Sequence, residues 1–559
     1  MNRHFYVRIS SLLVLFFLKI NAHGQTVGLL SHLSGSEDDG YVLFSPQASD
    51  STYLIDKCGR LVHKWGSSYK PGLDFYFLPD GTLLRTGNYP NPVFDGIGSA
   101  GGIIERYDWN NNLLWHYVVS DPTQIQNHDI CYMPSGNILV AIWEVISDSA
   151  ALANGRKPSL LGTSLWSAKI IEIQPIGTDS AKVVWTWRVW DHLVQDYDAS
   201  KPNYGVVADH PELLNLNYVN TAATGATNPD WLHFNAITHN PAMDQIMISF
   251  HSNDEIYILD HSTDSAQAAA HTGGTHSKGG DFLYRWGNPG AYDRGTVFDI
   301  KLYEQHDPTW IPSGPYANQI MIFNNGRGRG TTPLTYYSSV DIIAPPMDTA
   351  GNYYIAAGAP FGPATTSWTY GTGHAFYTPF MGGAQPLPNG DVLICNAQSG
   401  NFFEVDSAKN TDWSYRNPID SGAAVAQGTT SLARNAVYRC TFYPSSYAGF
   451  SGLTIAPGTL PIELNPLPST CELNTITTAT SSLLNAETLK IMPNPANDRL
   501  TVTAGDLSSI QVMDITGRVL MSARYENVPS AEISTLELAN GMYLVSVNGS
   551  VYQRIVVQH

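Results

Sequence analysis

The amino-acid sequence predicts an all-β protein, a six-bladed β-propeller followed by a small C-terminal β-sandwich. One observation is compositional. Only 14% of the 559 residues are charged, while 48 glycines, 34 prolines, 30 tyrosines and 13 tryptophans supply the turns and broad side chains that half-buried pleated surfaces use. Another is a turn that recurs beside an apolar run, in "FLPDGTLLRTG" from Phe77, "YMPSGNILVAIWE" from Tyr132, "HNPAMDQIMISFH" from His239, "IPSGPYANQIMIFNNG" from Ile311 and "PLPNGDVLICNAQSG" from Pro386. Each reads as strand, tight turn and strand. The third is a companion element in which an apolar strand and a turn lead to a strand ending in Trp or Tyr, as in "TYLIDKCGRLVHKW", "IIERYDWNNNLLWHY" and "FFEVDSAKNTDWSY". Pairing the two elements gives about four strands per unit and about six units. An array of sandwiches would not repeat that cycle so regularly.

In chain order, residues 1–24 read as a signal peptide: Arg3 and Arg8 precede an apolar run that ends in small residues at Ala22 and Gly24, with cleavage near Gln25. The run is shorter than the ~20 apolar residues a membrane-spanning helix needs, and no other stretch is long enough to cross a bilayer. Residues 25–460 hold the propeller, with long insertions around 190–230 and 261–280 of the kind that roof a site. A formal charge of −18 argues against a general affinity for nucleic acid or anionic membranes. In an oxidising compartment Cys440 and Cys471 either close a loop over the end of the main domain or are small buried side chains. Cys58, Cys131 and Cys395 fall in apolar runs and read as inert thiols.

One repeated detail bears on function. "QNHDICYMPSG" at 126–136 and "EQHDPTWIPSG" at 304–314 set a His-Asp pair at the same interval before the turn proline, so His128 and His306 occupy one position of the repeat. "WLHFNAITHNP" places His233 slightly earlier in its own unit. In a propeller the first strand of each blade lines the central channel, so equivalent registers converge on the axis. An isolated histidine would more simply bond to its neighbouring blade. Three in one register point to one central space.

The segments "DWLHFNAITHNPAMDQIMISFHSNDEIYILDHST", "GGDFLYRWGNPGAYDRGT", "QHDPTWIPSG", "IMIFNNGRGRG" and "GGAQPLPNGDVLICNAQSGNFFEVD" resemble the arylsulfotransferase family, over roughly residues 40 to 460. The resemblance implies a six-bladed propeller that moves a sulfuryl group from an aryl sulfate to a phenol through a channel histidine, forming a sulfohistidine, without nucleotide or other cofactor. It matches the family's channel histidines to His233 and His306, and its channel arginine to Arg327 or Arg329. His128 joins them through the internal repeat. The family's nucleophilic histidine comes late in the propeller, where the only candidate is His374, whose flanks carry no transferable motif. If His374 is a loop residue, His306 or His128 must attack sulfur, or the protein binds without turnover. His306 is the first expectation for the nucleophile, with His374 the challenger.

The chemistry suits these residue types. Sulfuryl transfer, like phosphoryl transfer, spreads negative charge over equatorial oxygens between an in-line nucleophile and leaving group, so cationic donors must surround it. Neutral imidazole attacks sulfur, and a second imidazole protonates the leaving phenolate. Trp231, Phe234, Trp310 and Tyr132 stand near the histidines, where they either stack on an aryl ring or pack between blades. The alternatives to a transferase are a non-catalytic surface propeller that binds sulfated or phenolic ligands, and a hydrolase or lyase acting on sulfated polysaccharide. No metal or cofactor site is expected: "HTGGTH" sets His271 and His276 five apart with no cysteine or carboxylate cluster to complete a site, and "GGTHSKGG" follows no strand-to-helix transition.

After Leu460, residues 461–490 are rich in Pro, Ser and Thr and read as a linker. Residues 491–559 alternate apolar and polar side chains across about seven short strands, which predicts the sandwich. "PNPANDRL", "VMDITGRVL", "LANGMYLVSV" and "RIVV" resemble the type IX secretion system sorting domain of Bacteroidetes. That resemblance implies a partner in the secretion machinery and delivery to the medium or the cell surface. A carbohydrate-binding module would show an aromatic platform, and none is visible.

Overall fold

The computed structural model describes residues 25–33, 39–94, 101–220, 227–330, 332–455, 458, 460–467, 471, 490–513, 519–536, 538–547 and 551–559. The expected signal peptide and most of the expected linker lie outside them. The chain forms two compact units, 1–473 and 474–559.

The first unit is a ring of six antiparallel sheets. Blade one runs Pro71–Phe77, Leu83–Asn88, Gly102–Tyr107 and Leu113–Val118, and blade two Gln124–Tyr132, Ile138–Ile146, Leu165–Ile176 and Ser180–Arg188. Blade three is Phe234–Asn240, Gln245–Phe250, Glu255–Asp260 and Tyr284–Trp286, and blade four His306–Trp310, Ile320–Asn324, Ser339–Ile343 and Trp368–Tyr370. Blade five comprises Gly383–Pro386, Val392–Asn396, Asn401–Val405 and Thr411–Arg416, with Gly28–His32 added to its outer edge. The last blade joins the two ends of the unit: Val437–Pro444 is its inner strand, paired with Gly40–Pro46. Closure of this kind ties both ends of the unit into one sheet and leaves only the short outer-strand edges of the blades.

Six apolar clusters fill the six interfaces between neighbouring blades. Between blades three and four, for example, Ile256 and Ile258 meet Ile320 and Ile322, none of them exposed to solvent. Truncating one such residue to alanine costs about 2 to 5 kcal/mol through lost transfer energy and a residual cavity. The apolar runs read from the sequence are the middle strands of the blades, buried on both faces, while the Trp and Tyr residues that end the outer strands close each interface.

Two details at the end of this unit depart from expectation. The bridge is Cys58–Cys471, whereas Cys440 is a free buried thiol on the closing strand. The sequence left Cys440 and Cys471 as either a bridge or two buried thiols and read Cys58 as inert; Cys58 instead takes Cys471, because ring closure brings the turn after Ser51–Asp56, in the last blade, beside the returning chain. Residues 461–467, assigned to the linker by composition, are hydrogen-bonded to this unit, with Arg60 facing Pro461 and Ala426 facing Leu464.

The second unit is a five-stranded sheet arrangement around its own apolar core. Two strands are long, Arg499–Met513 and Val519–Ser534, and their pairing shifts register between Thr503 and Ser509. The shift divides each into two halves, which gives the seven short segments legible in the sequence. Leu500 and Val502 from one half share a core with Ile510 and Val512 from the other.

Candidate active site at the channel mouth

The six inner strands line the axis, and five of them carry a bulge near their start. Register shifts lie between Pro71 and Phe75, Gln126 and Ile130, Phe234 and Ala236, His306 and Thr309, and Val437 and Cys440. A bulge re-aims the side chains it contains. Here it does so through left-handed backbone at Leu73 (φ 93°), His128 (52°), His233 (50°) and Asp307 (48°), with Met381 (61°) entering blade five in the same way. Non-glycine residues hold that conformation at a cost of about 1 to 2 kcal/mol each, so something must fix them.

The aspartates of the repeated His-Asp pair do so, together with Asp74, which follows Leu73 at the same place in blade one. Asp129 Oδ2 accepts the Ile237 amide of blade three at 2.9 Å, Asp307 Oδ2 the Ala384 amide of blade five at 3.0 Å, and Asp74 Oδ2 the Ile130 amide of blade two at 3.3 Å. Each carboxylate therefore staples its blade to the next. All three then meet one guanidinium, Arg439 of the closing strand, at 3.6 Å (Asp74), 3.2 Å (Asp129) and 3.4 Å (Asp307). Burial works against the charge of Arg439, but Asp129 and Asp307 raise its pKa well above the usual value. Asp74 is pushed well above the carboxylate range by burial and by Asp129, which favours its protonated form. Three acids thus share one cation.

Once the aspartates are anchored, the histidines beside them project into a common space at the channel mouth. His128 and His233 ring centroids are 4.8 Å apart, His128 and His306 6.2 Å, His233 and His251 4.7 Å, and His251 and His306 5.3 Å. The expected trio is joined by His251, which directly follows the second strand of blade three. Its signal was the terminal histidine of "QIMISFH", one strand removed from the repeat that drew attention.

The four imidazoles are not equivalent. His306 is 1% exposed, and both nitrogens are engaged: Nε2 accepts the Met381 amide at 3.2 Å, so Nδ1 carries the proton and donates to Asn325 Oδ1 at 2.8 Å. His128 turns Nε2 to His233 Nε2 at 2.9 Å and leaves Nδ1 without a partner. His251 Nε2 lies 3.3 Å from Glu304 Oε2. Burial, reinforced by neighbouring imidazoles, lowers the pKa of His128, His251 and His306 well below the usual histidine value, so all three are held neutral. His233 differs. Burial lowers it too, but the Asp230 carboxylate, hydrogen-bonded to Nδ1, outweighs that and raises the pKa. Its side chain is also 23% exposed.

Glu304, two residues before His306, completes the mouth. It faces His251 on one side and Arg327 Nη1 on the other, each at 3.3 Å, and burial raises its pKa to about 7 against the lowering effect of Arg327. Arg327 is half-exposed. Arg329 instead stacks on Tyr337, 4.5 Å from the ring centroid, and bonds Ser339 at 3.1 Å. The pair left open by the sequence thus divides into one arginine at the histidines and one packed within blade four.

His374 is exposed, with its ring 5.1 Å from Tyr337 and Nδ1 3.4 Å from the Tyr336 carbonyl, and it has no contact with the four imidazoles among the described residues. Trp231 is buried under Arg156, and Phe234 packs on Phe250. Tyr132 and Trp310 line a separate cavity of about 400 Å³ further along the channel, with Asp129, Asp307, Arg439 and His239. The aromatic ring nearest His233 at the mouth is Trp143, at 6.2 Å. Asp230, His251, Glu304 and Arg439 escaped the sequence reading because none of them repeats.

The arylsulfotransferase (ASST) family model matches residues 27–439, and a secretion system C-terminal sorting domain matches residues 490–558. No curated protein sequence matches the chain. Among solved structures, a protein of unknown function from Bacteroides caccae is 10% identical, with 72% of this chain and 98% of that chain covered and a TM-score of 0.38. Virginiamycin B lyase from Staphylococcus aureus is 12% identical (72% and 87% covered, TM-score 0.31), and a periplasmic gluconolactonase from Pseudomonas aeruginosa 11% identical (72% and 99% covered, TM-score 0.33). Likenesses this remote extend to neither site nor activity. The chain belongs to the arylsulfotransferase family, enzymes of the sulfotransferase type acting on small molecules, and ends in a type IX secretion sorting domain that makes it a secreted or cell-surface protein.

Proposed function

We propose that the protein transfers a sulfuryl group from an aryl sulfate to a phenolic acceptor with His233 as the carrier. The observation that carries this reading is the Asp230–His233 pair. Asp230 holds the proton on Nδ1 and leaves the Nε2 lone pair as nucleophile, on the most exposed of the four imidazoles. His306, the first expectation from sequence, is sealed from solvent with its Nε2 held by a backbone amide, whereas the Nε2 of His233 meets only the His128 side chain, which turns to the sulfuryl oxygens when the donor binds.

In the first half-reaction His233 Nε2 bonds to sulfur as the S–O bond to the aryl group breaks. The departing aryloxide takes the Glu304 proton, which is available near neutrality. Arg327 and the Nε2–H of His128 donate to the sulfuryl oxygens, where charge accumulates. A phenol then attacks sulfur, breaks the N–S bond and returns its proton to Glu304.

The test is a chromogenic aryl sulfate with and without phenol, combined with mass analysis of the quenched, donor-only mixture. Phenol-dependent release with an adduct on the peptide containing His233 supports the reading. Release independent of acceptor makes the protein a hydrolase, no release makes it a binding protein, and an adduct on His306 or His374 moves the carrier.

A further inference from the structure

Away from the mouth, blade three carries a second histidine cluster that sulfuryl transfer does not use. His239 lies near the end of the inner strand, six residues beyond His233, which at the strand rise places it about 20 Å along the channel. Asp244 stands in the turn that follows, and His261 directly follows the third strand, Glu255–Asp260. Asp244 Oδ1 is 3.1 Å from His239 Nε2 and 2.7 Å from His261 Nδ1, and all three donor atoms lie within 4.8 Å of one another.

We propose that His239 Nε2, His261 Nδ1 and an Asp244 carboxylate oxygen form a binding site for a divalent transition ion of the zinc class. Two imidazoles and one carboxylate are a donor set that zinc accepts, with a fourth, solvent-facing position left for water. Bonds of about 2.0 to 2.2 Å in a tetrahedron set donor atoms about 3.3 Å apart. The two Asp244 separations, 3.1 and 2.7 Å, lie just inside that spacing, and Asp244, the half-exposed member, adjusts by a few tenths of an ångström.

The surroundings are those of a built site rather than a chance cluster. His261 Nε2 donates to Glu172 Oε2 of blade two at 3.2 Å, and Glu172 is itself held by Asn137. That bond fixes the tautomer that presents the Nδ1 lone pair, the arrangement by which an outer carboxylate orients a metal-bound imidazole. The Trp185 ring packs edge-on against His261 at 5.0 Å, and the His261 amide donates to the Asp244 carbonyl at 3.0 Å. Both histidine side chains are almost buried, while Asp244 opens to solvent and gives the ion its path. When the ion enters, His261 gives up its Nδ1 proton to solvent and keeps the one on Nε2, while His239 shifts its proton from Nε2 to Nδ1, so both donor nitrogens present lone pairs. The ion would tie the turn and the following loop of blade three to blade two, beside the channel cavity that His239 also lines.

A second trio, His192, His271 and Asp281, is less suited. His271 is mostly exposed, and the buried His192 already spans Asp281 and the Ala268 carbonyl. It does revise the reading of "HTGGTH", because the fold brings His192 and Asp281 to His271.

The experiment uses the full mature chain, stripped with a chelator, gel-filtered and titrated with Co²⁺ and Zn²⁺. One Co²⁺ per chain with the intense visible bands of a tetrahedral ion, displaced by Zn²⁺, is the expected result. His261→Ala should abolish it, and Glu172→Gln should weaken affinity about 10- to 100-fold. Asp244→Asn keeps the left-handed turn, which asparagine tolerates, and should weaken binding with an unchanged circular dichroism spectrum, so the test survives a misfolded His261→Ala. Wild-type protein without stoichiometric Co²⁺ or Zn²⁺ would overturn the site, as would wild-type affinity in Asp244→Asn and His261→Ala, or metal lost only in His192→Ala.

Discussion

His128 and His233 face each other Nε2 to Nε2 across 2.9 Å, although 105 residues separate them and they enter the channel from different blades. One proton lies on that line. The Asp230 carboxylate raises the affinity of His233 for that proton while burial lowers that of His128, so His233 holds it by preference and presents its Nε2 lone pair once that proton is lost.

The first prediction concerns that pair. Asp230→Asn should lower kcat for aryl sulfate turnover about 100-fold or more with little change in KM, because an amide no longer enforces the Nδ1–H tautomer. His233→Ala should remove the sulfuryl adduct altogether. Steady-state and quenched-flow kinetics on the two variants check both statements.

A second prediction follows from Glu304. Its pKa is raised from 4.5 to about 7, so the fold prefers the protonated form. That contribution is complete below pH about 4.5 and is lost as pH rises through about 7, up to roughly 3 kcal/mol. Glu304→Gln should flatten the stability profile between pH 5 and 8. It should also remove a fall in kcat/KM above pH about 7. Urea titrations and rate measurements across that range are the checks, and an unchanged profile in the variant would refute the assignment.

Arg439 makes a third. Its loss leaves Asp74, Asp129 and Asp307 facing one another without a cation. Arg439→Met should therefore destabilise the propeller by about 3 to 5 kcal/mol. Arg439→Lys should recover only part of this, since a single ammonium cannot span three carboxylates in the planar geometry of a guanidinium. Denaturant unfolding of the three proteins decides it.

The disulfide supplies a fourth. Cys58–Cys471 closes a loop of 413 residues around the propeller. Reduction, or Cys58→Ser, should lower stability by about 2 to 5 kcal/mol, whereas Cys440→Ser should leave the cross-linked peptide intact on a non-reducing map. A Cys440–Cys471 peptide on that map would overturn the pairing.

The last concerns delivery. Deleting residues 491–559 should leave the protein in the periplasm with its propeller intact. Cell fractionation with an antibody to the propeller reads the outcome, and undiminished surface delivery would contradict it.

Periodic features of this protein were legible in its sequence. Strand, turn and strand recur, so the blades and their count could be read, and the His-Asp interval singled out His128 and His306. A repeat fixes register, and register in a closed ring fixes convergence on the axis. The terminal domain was legible for the same reason, since alternation reports which face is buried. Non-periodic partners were decided only by the tertiary structure. Arg439 gathers three aspartates because ring closure delivers the last strand to the axis, and Cys58 finds Cys471 for the same reason. His251, Asp230 and Glu304 enter the site through bulges and strand ends, whose direction depends on how neighbouring blades pack. His306 looked like the carrier by register, yet an amide from blade five occupies its nitrogen. A repeated sequence states where a side chain starts, but what it meets across the axis depends on backbone donors and acceptors that every sequence has in common, and only the folded ring assigns those.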